Sequence, residues 1–373
     1  MAYGAAARAA PPRLATARVS SLDARRASAR GPRAGSRVKV SARASSSSPG
    51  ASFPKRAWGD MTTAEFEALD KSRAIALLPV GAIEQHGPHL PVCVDAAINA
   101  GVLARALELL PDDLPLVALP PVPYGKSVEH VDFAGTVSLS ADTLRAVWTD
   151  VGDALHRSGF TKLVLFNSHG GQPQIMDVVA RDLRKRHGML VVTCSWFSFG
   201  LPDGVFSDAE TKHGLHAGDV ETSVMLRLRP DLVDMAKASN FKSAGERMEK
   251  DFRSLTPEGG GVGFGWLAQD LNSSGATGDA SAATAEKGEA CLAHAAAALV
   301  DLLREVDAFD AECFFNGGEP GRYCGTSLRR VWDDEAADEA ADREGSEDGR
   351  STRANATTGA TRSAYASHYT GNA

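Results

Sequence analysis

Four short stretches of this chain carry side chains whose types and spacing could do chemistry. The first is GAIEQHGPHLPVCVD, Gly81 to Asp95, which places Glu84, His86, His89 and Asp95 directly after an apolar run, Ala74 to Val80. That run has the length of a buried strand. A strand fixes the backbone, so ligands that follow it are held before an ion arrives. Glu84 and His86 stand two apart, which in extended backbone puts both on one side. Gly87 and Pro88 then turn the chain and let Asp95 return to the same point. The competing reading is that Asp95 only caps a helix beginning near Ala96. The other stretches are Glu129-His130, His169 in NSHGGQ (Asn167 to Gln172), and His216 with Glu221 in HGLHAGDVETSVML (His213 to Leu226). His169 could instead be a buried imidazole in a plain turn, and Glu221 a solvated helix residue. The Gly pair after His169 has neither Walker A nor GxGxxG spacing, which argues against a phosphate loop. No cysteine joins these groups. Mixed imidazole and carboxylate donors suit zinc, manganese or iron, not calcium or a thiolate site. Three or more acids can hold two ions, which together can share a hydroxide and polarise a carbonyl.

These residues must be positioned by the elements around them. TTAEFEAL (Thr62 to Leu69) predicts a first helix with Thr63 as N-cap. A strand at Ala74 to Val80 precedes a helix over Ala96 to Leu110, stopped by Pro111. Leu116 to Leu119 is a second strand. The loop Pro120 to Ser140 is long and polar at its centre, and such loops are commonly functional. Ser140 caps a helix over Ala141 to Ser158, with Gly159 as its stop. Lys162 to Phe166 is a third strand, followed by a helix to about His187, and Met189 to Cys194 is a fourth. Trp196 to Lys212 reads as loop, His213 to Leu226 leads into a helix that ends before Pro230, and an Ala-rich helix runs from Ala282 to Phe309. Alternating strands and helices predict a mostly parallel sheet with helices on both faces. In such sheets ligands bind beyond the carboxyl ends of the strands. The clusters after the first and third strands both fall there, so one shared site is expected.

Composition separates this body from the two ends. Residues 1–49 hold nine arginines and one lysine against one acid, Asp23, a net +9. The whole chain is −7, so the remainder carries about −16, a balance that disfavours nucleic acid and anionic membranes as partners. The basic, Ala- and Ser-rich start has the composition of an organelle transit peptide, and VKVSARA before a serine run favours the plastid stroma over the mitochondrion. No apolar stretch reaches the length of a membrane span. The expected organisation is a transit segment (1–49), a linker (50–57), one domain (58–310), an extension (311–330) and an acidic, polar tail (331–373) without apolar periodicity. Five scattered cysteines without a CxxC pair indicate no disulfide framework, although Cys313 and Cys324 could pair.

GAIEQHGPHLPVCVD, EHVDFAGTVSLS, NSHGGQ, HAGDVETS and TGDASAATAEKGE resemble, in this order, the sequence blocks of the creatininase family. They span about Trp58 to Phe309. The resemblance implies a three-layer α/β/α sandwich around a mostly parallel sheet, with two divalent metal ions per chain (Zn, Mn or Fe). It implies hydrolysis of a C–N bond in a small cyclic amide or formamide through a metal-activated water. A formylaminopyrimidine deformylase and a peptide-trimming enzyme are the alternatives within the family; a non-catalytic metal-binding scaffold is the alternative outside it. By family pattern Glu84, His86, Asp95 (bridging), His169 and Glu221 are metal ligands. His216 handles the proton or binds substrate, with Glu221 as a second catalytic candidate. Glu129, His130, Ser168, Gly170 and Gly171 are expected on the substrate side, in a pocket built by loops Tyr124 to Val137 and Trp196 to His213. The resemblance also implies a homo-oligomer, a hexamer. Creatinine-cleaving members carry Tyr and Glu where Gly170 and Gly171 stand here, so Glu221 has to serve the second ion. Ser168 and Gln172 replace the usual Gly and Asn, and Ala280 replaces a common Pro.

Overall fold

The apolar run that precedes the first cluster becomes the middle of a sheet. The computed structural model describes residues 55–257 and 262–316. In it β1 (Ile75–Val80) lies between β2 (Leu116–Ala118) and β3 (Lys162–Asn167), with β4 (Leu190–Ser195) at the far edge, in the order β2-β1-β3-β4. Every pairing is parallel. Ile75 aligns with both Leu116 and Lys162, and Lys162 with Leu190. The basic segment 1–49, Cys324 and the tail from 331 lie outside the described residues.

Side chains alternate across a strand, so each face of the sheet builds its own core. Ile75, Leu77, Leu116, Val164 and Phe166 point into one cluster, with α2 (Val94–Leu109), α6 (Asp219–Leu228) and α9 (Ala285–Ala308) packed over it. Ala76, Leu78, Val80, Leu163 and Leu165 point into the other. There Trp148 and Leu155 of α3 (Ala141–Arg157) meet Met176, Val179 and Leu183 of α4 (Pro173–His187). The result is the three-layer α/β/α sandwich. Each fully buried large aliphatic or Phe side chain contributes about 1.5–3 kcal/mol. Both sheet faces are covered, which is why β1 and β3 are apolar almost throughout.

Two local devices lock the layers together. Lys162, at the start of β3, is buried and donates from Nζ to the carbonyls of Val306 (2.8 Å) and Asp307 (2.9 Å), satisfying the C-terminal end of α9. On α9, Gly288 lies against the backbone of Ser223 and Val224, so α9 and α6 approach more closely than any side chain would allow.

Several boundaries differ from expectation for identifiable reasons. Helix α1 (Thr63–Ala68) is capped by Thr62, not Thr63, because only Thr62 has a Glu three residues on. Thr62 Oγ1 accepts from Glu65 N–H, and Glu65 Oε2 accepts from Thr62 N–H at 2.7 Å. Asp95 does not cap α2 but sits in its first turn, after Cys93. The stretch read as loop after β4 contains a 3-10 turn (Trp196–Phe199) and α5 (Asp208–His213), capped by Ser207 through Glu210 N–H at 3.1 Å. Beyond α6 the structure adds a two-stranded pair, β5 (Asn240–Phe241) with β6 (Gly278–Asp279). It also adds short helices α7 (Gly245–Asp251), α8 (Ala268–Leu271) and α10 (Ala311–Asn316).

Candidate metal centre

At the carboxyl ends of β1 and β3 the chain turns its ionisable side chains inward. Asn99, on α2, donates to the carbonyls of Val80, the last residue of β1 (3.1 Å), and Phe166, the last but one of β3 (3.0 Å), and so ties the two strands together where their loops depart. The first loop supplies Glu84 and His86. The second supplies His169, whose backbone is tied by Asn167 in both directions, N–H to Oδ1 (3.0 Å) and Nδ2 to its carbonyl (2.7 Å). Asp95 enters from the first turn of α2, Glu221 from the first turn of α6, and His216 from the loop between α5 and α6. Glu129 and His130 come from a 3-10 turn, Val128–His130.

The donor atoms form two adjoining groups. His169 Nδ1 lies 3.1 Å from Glu84 Oε2 and 3.5 Å from Asp95 Oδ2. His86 Nε2 lies 3.6 Å from Asp95 Oδ1 and 3.8 Å from Glu221 Oε2. Asp95 therefore turns one oxygen to each group. Most of these separations are long for hydrogen bonds. They match the edges of a coordination shell, since ligands about 2.0–2.1 Å from a tetrahedral ion lie about 3.3 Å apart. Glu84 Oε2, His86 Nε2 and Asp95 Oδ2 are all buried without a hydrogen-bond partner. Buried polar atoms are rarely left so, and three of them converging fit a cation. Glu84, Asp95 and His169 could hold one ion; His86, His216 and Glu221 offer a second set.

Backbone carbonyls set the imidazole tautomers. His86 Nδ1 donates to the Glu84 carbonyl (3.0 Å), His169 Nε2 to Lys126 (2.9 Å) and His216 Nε2 to Gln85 (2.6 Å). Each ring thereby turns its other nitrogen to the site, the nitrogen that a metal ligand or base must use. The electrostatics carry the same message. Burial pushes His169 and His86 down, but the Glu84 and Asp95 carboxylates around them win and raise them to about 10 and about 9. Burial and the Glu84 charge raise Asp95 to about 7. Burial works against the Glu84 charge too, yet the protonated His169 beside it holds that carboxyl well below its ordinary range. Protons on the imidazoles balance the acids where a cation would otherwise do so.

A sequence model of the creatininase family, described as creatinine amidohydrolase, matches residues 59–303. The chain belongs to the creatininase family of hydrolases. It is 34% identical over 219 residues to the mycofactocin precursor peptide peptidase of Mycolicibacterium smegmatis, covering 58% of this chain and 78% of that one. It is 32% identical over 203 residues to the creatinine amidohydrolase of Pseudomonas putida, covering 50% and 76%. A solved mutant creatininase of Zn-Zn type superposes with a TM-score of 0.55 at 30% identity, covering 67% of this chain and 98% of that one. A creatininase Mn structure gives 0.54 at 28%, covering 67% and 98%.

In this creatininase-family chain the two groups open into a cavity of about 560 Å³. Glu129, His130, Ser168, Gly170 and Gly171 all line it, as do His216 and Glu221. The loop expected to wall it, Trp196 to His213, contributes only Trp196 and Phe197. The rest of that stretch folds into α5 and the approach to it. Sequence reasoning missed further lining residues, including Pro257, Phe264, Trp266 and Asp270. Their Gly-rich surroundings gave no periodic signal; the two aromatics were the available clue. Gly171 cannot carry a side chain here, because a Cβ would run into the Glu129 carboxylate and lie 2.6 Å from His169 Nε2. His89, part of the first cluster in sequence, turns away from the site, with its Nε2 2.9 Å from Thr222 Oγ1.

Glu210 was also missed. It is buried in the first turn of α5 and takes backbone N–H groups from Val220 (3.3 Å) and Asp279 (2.8 Å). It thereby ties the start of α6 to β6, and Thr277, just before β6, donates its N–H to the His216 carbonyl at 2.8 Å. Ala217, next to His216, holds a positive φ of 56°, and Glu221 Oε2 accepts its N–H at 2.6 Å. A non-glycine residue there costs on the order of 1–3 kcal/mol, and these two carboxylates hold it in place.

Proposed function

We propose that this protein is a metal-dependent amide hydrolase that uses two divalent ions. The observation that carries this is the convergence of three unpartnered buried donor atoms, Glu84 Oε2, His86 Nε2 and Asp95 Oδ2, beside a cavity that Glu84 and Asp95 line. When bound, such ions supply an activated water and polarise a carbonyl oxygen. Glu84, Asp95 and His169 would hold one and His86, Asp95 and Glu221 the other. His216 is left with an unshared pair on Nδ1, 3.7 Å from Glu84 Oε1. Burial first, then His86 and His130, hold it well below its ordinary value, so it is neutral and able to take a proton in the cavity. From there it can deliver that proton to the departing nitrogen.

The substrate is a peptide-like amide. Two glycines follow His169, so no side chain from positions 170 and 171 fills the cavity. About 560 Å³ accommodates a ligand of drug or short-peptide size. Trp196, Phe197, Phe264 and Trp266 offer apolar contact along its walls. The peptidase relative supports this reading. The test is elemental analysis of the full chain beside His86→Ala, together with turnover on short peptides, creatinine and formamides. About two equivalents of Zn, Mn or Fe, reduced in the variant, with peptide turnover, is the expected result. Wild-type metal content in His86→Ala would remove the ligand assignment. Turnover of creatinine alone would remove the substrate assignment.

A further inference from the structure

His130 differs from the other three imidazoles of the centre in what its outer nitrogen meets. His86, His169 and His216 each meet a backbone carbonyl. His130 Nδ1 meets the side-chain amide of Gln85, at 2.7 Å from Nε2. The direction of that amide is fixed from both ends. Gln85 Oε1 accepts the Gly87 N–H at 2.9 Å, and Gln85 Nε2 donates to the Gly275 carbonyl at 2.8 Å. Reversing it would set oxygen against oxygen and N–H against N–H. The pin is built into the backbone, because Gly275 has φ +82 and a Cβ there would strike the Gln85 amide. The second hydrogen on Gln85 Nε2 therefore points at His130 Nδ1, which has to accept it. A neutral imidazole that accepts at Nδ1 carries its proton on Nε2. That nitrogen faces Glu84 Oε1 at 3.4 Å, while the ring stacks on His216 with centroids 4.2 Å apart.

We propose that Gln85 fixes His130 as a neutral Nε2–H donor. His130 is then a positioning residue that engages Glu84 Oε1 and stays out of the metal shell. Glu84 Oε2 is left for the ion beside His169 and Asp95. Glu84, His130 and His216 come close enough to resemble a third metal set. The pinned amide rules that set out, because a ligating Nε2 would need a proton on Nδ1, directed at the amide hydrogens. The inference rests on the metal-centre reading for its consequence, but the tautomer itself does not depend on metal.

The experiment is two-bond 15N–1H NMR of the histidine side chains in the full metal-free chain, with the His130 signals identified by their loss in His130→Gln. The expected pattern puts His216 in the tautomer set by its carbonyl, His86 and His169 protonated on both nitrogens among their carboxylates, and His130 protonated at Nε2 alone. In Gln85→Glu the new carboxylate accepts from Nδ1–H, and the proton moves to Nδ1. A His130 protonated at Nδ1 in the wild type, or unmoved in Gln85→Glu, overturns the proposal. Zinc competition with a chelator gives the second readout. His130→Ala is expected to keep the full zinc stoichiometry but bind about 10–100-fold more weakly, with His130→Gln, which restores an N–H donor, recovering most of the loss. Loss of a whole equivalent in His130→Gln would make His130 a ligand and overturn the proposal. If the wild type binds no zinc, the metal-centre reading fails while the NMR pattern still decides the tautomer.

Discussion

Replacing Asp95 by asparagine is expected to stabilise the metal-free protein and to abolish its stabilisation by metal. Asp95 is buried, and burial together with Glu84 raises its carboxyl from an ordinary 3.8 to about 7. An acid whose folded-state value is raised is easier to ionise in the unfolded chain. Its presence therefore costs nothing below about pH 4, and the cost grows until about pH 7. The displacement corresponds to at most ~4 kcal/mol, less whatever His86 and His169 return by pairing with the carboxylate. Asparagine removes that cost. Metal works in the opposite direction. At a thousandfold excess over Kd, binding adds about 4 kcal/mol to the wild type, and an amide that cannot give one charged oxygen to each group forfeits most of it. The assay is urea denaturation of both proteins at pH 4 and pH 8, after chelator treatment and again with zinc. The expected outcome is a metal-free variant at least as stable as wild type at pH 8, a smaller gap at pH 4, and a zinc-dependent gain only in the wild type. A metal-free variant clearly weaker than wild type at pH 8 would refute the reasoning. It would show that the carboxylate is held by protein hydrogen bonds and not reserved for a cation.

Glu210 offers a pH test away from the centre. Burial raises it from 4.5 to about 7, so wild-type stability is expected to fall by ~3 kcal/mol as pH rises between those values. Glu210→Gln should flatten that slope in thermal or urea melts, even if the lost acceptor lowers stability overall. Gly171→Ala forces its Cβ towards Glu129 and the pinned His169 ring. We expect zinc affinity and turnover to fall at least tenfold for a stability loss of about 1–3 kcal/mol, read by chelator competition and urea titration. Gly288→Ala drives a methyl into the backbone of α6, which cannot rotate aside. A loss of about 1–3 kcal/mol or more in the urea midpoint, with unchanged metal stoichiometry, is the expected result.

The sequence alone determined the alternation of strands and helices, because apolar runs such as Ala74 to Val80 and Lys162 to Phe166 can only be buried between two layers. It also marked Glu84, His86, Asp95, His169, His216 and Glu221, since imidazoles and carboxylates just past strand ends stand out against apolar surroundings. Helix caps are legible where a hydroxyl or acid stands three residues before a Glu, as Thr62 does before Glu65. What the sequence did not contain is direction. His89 stands only three residues after His86 in the same loop, yet its ring turns to Thr222. Glu210 reads as an ordinary acid in a loop, and only the packing of Gly214, Gly218 and Gly278 around it makes it a buried anchor. The tertiary structure also decided which nitrogen each imidazole presents. That choice depends on carbonyls and an amide from distant segments, such as Gly275 meeting Gln85 across 190 positions. Periodicity and composition report burial, a property of local runs. The aim of a side chain and the seat of a proton depend on contacts between segments, which only the folded chain supplies.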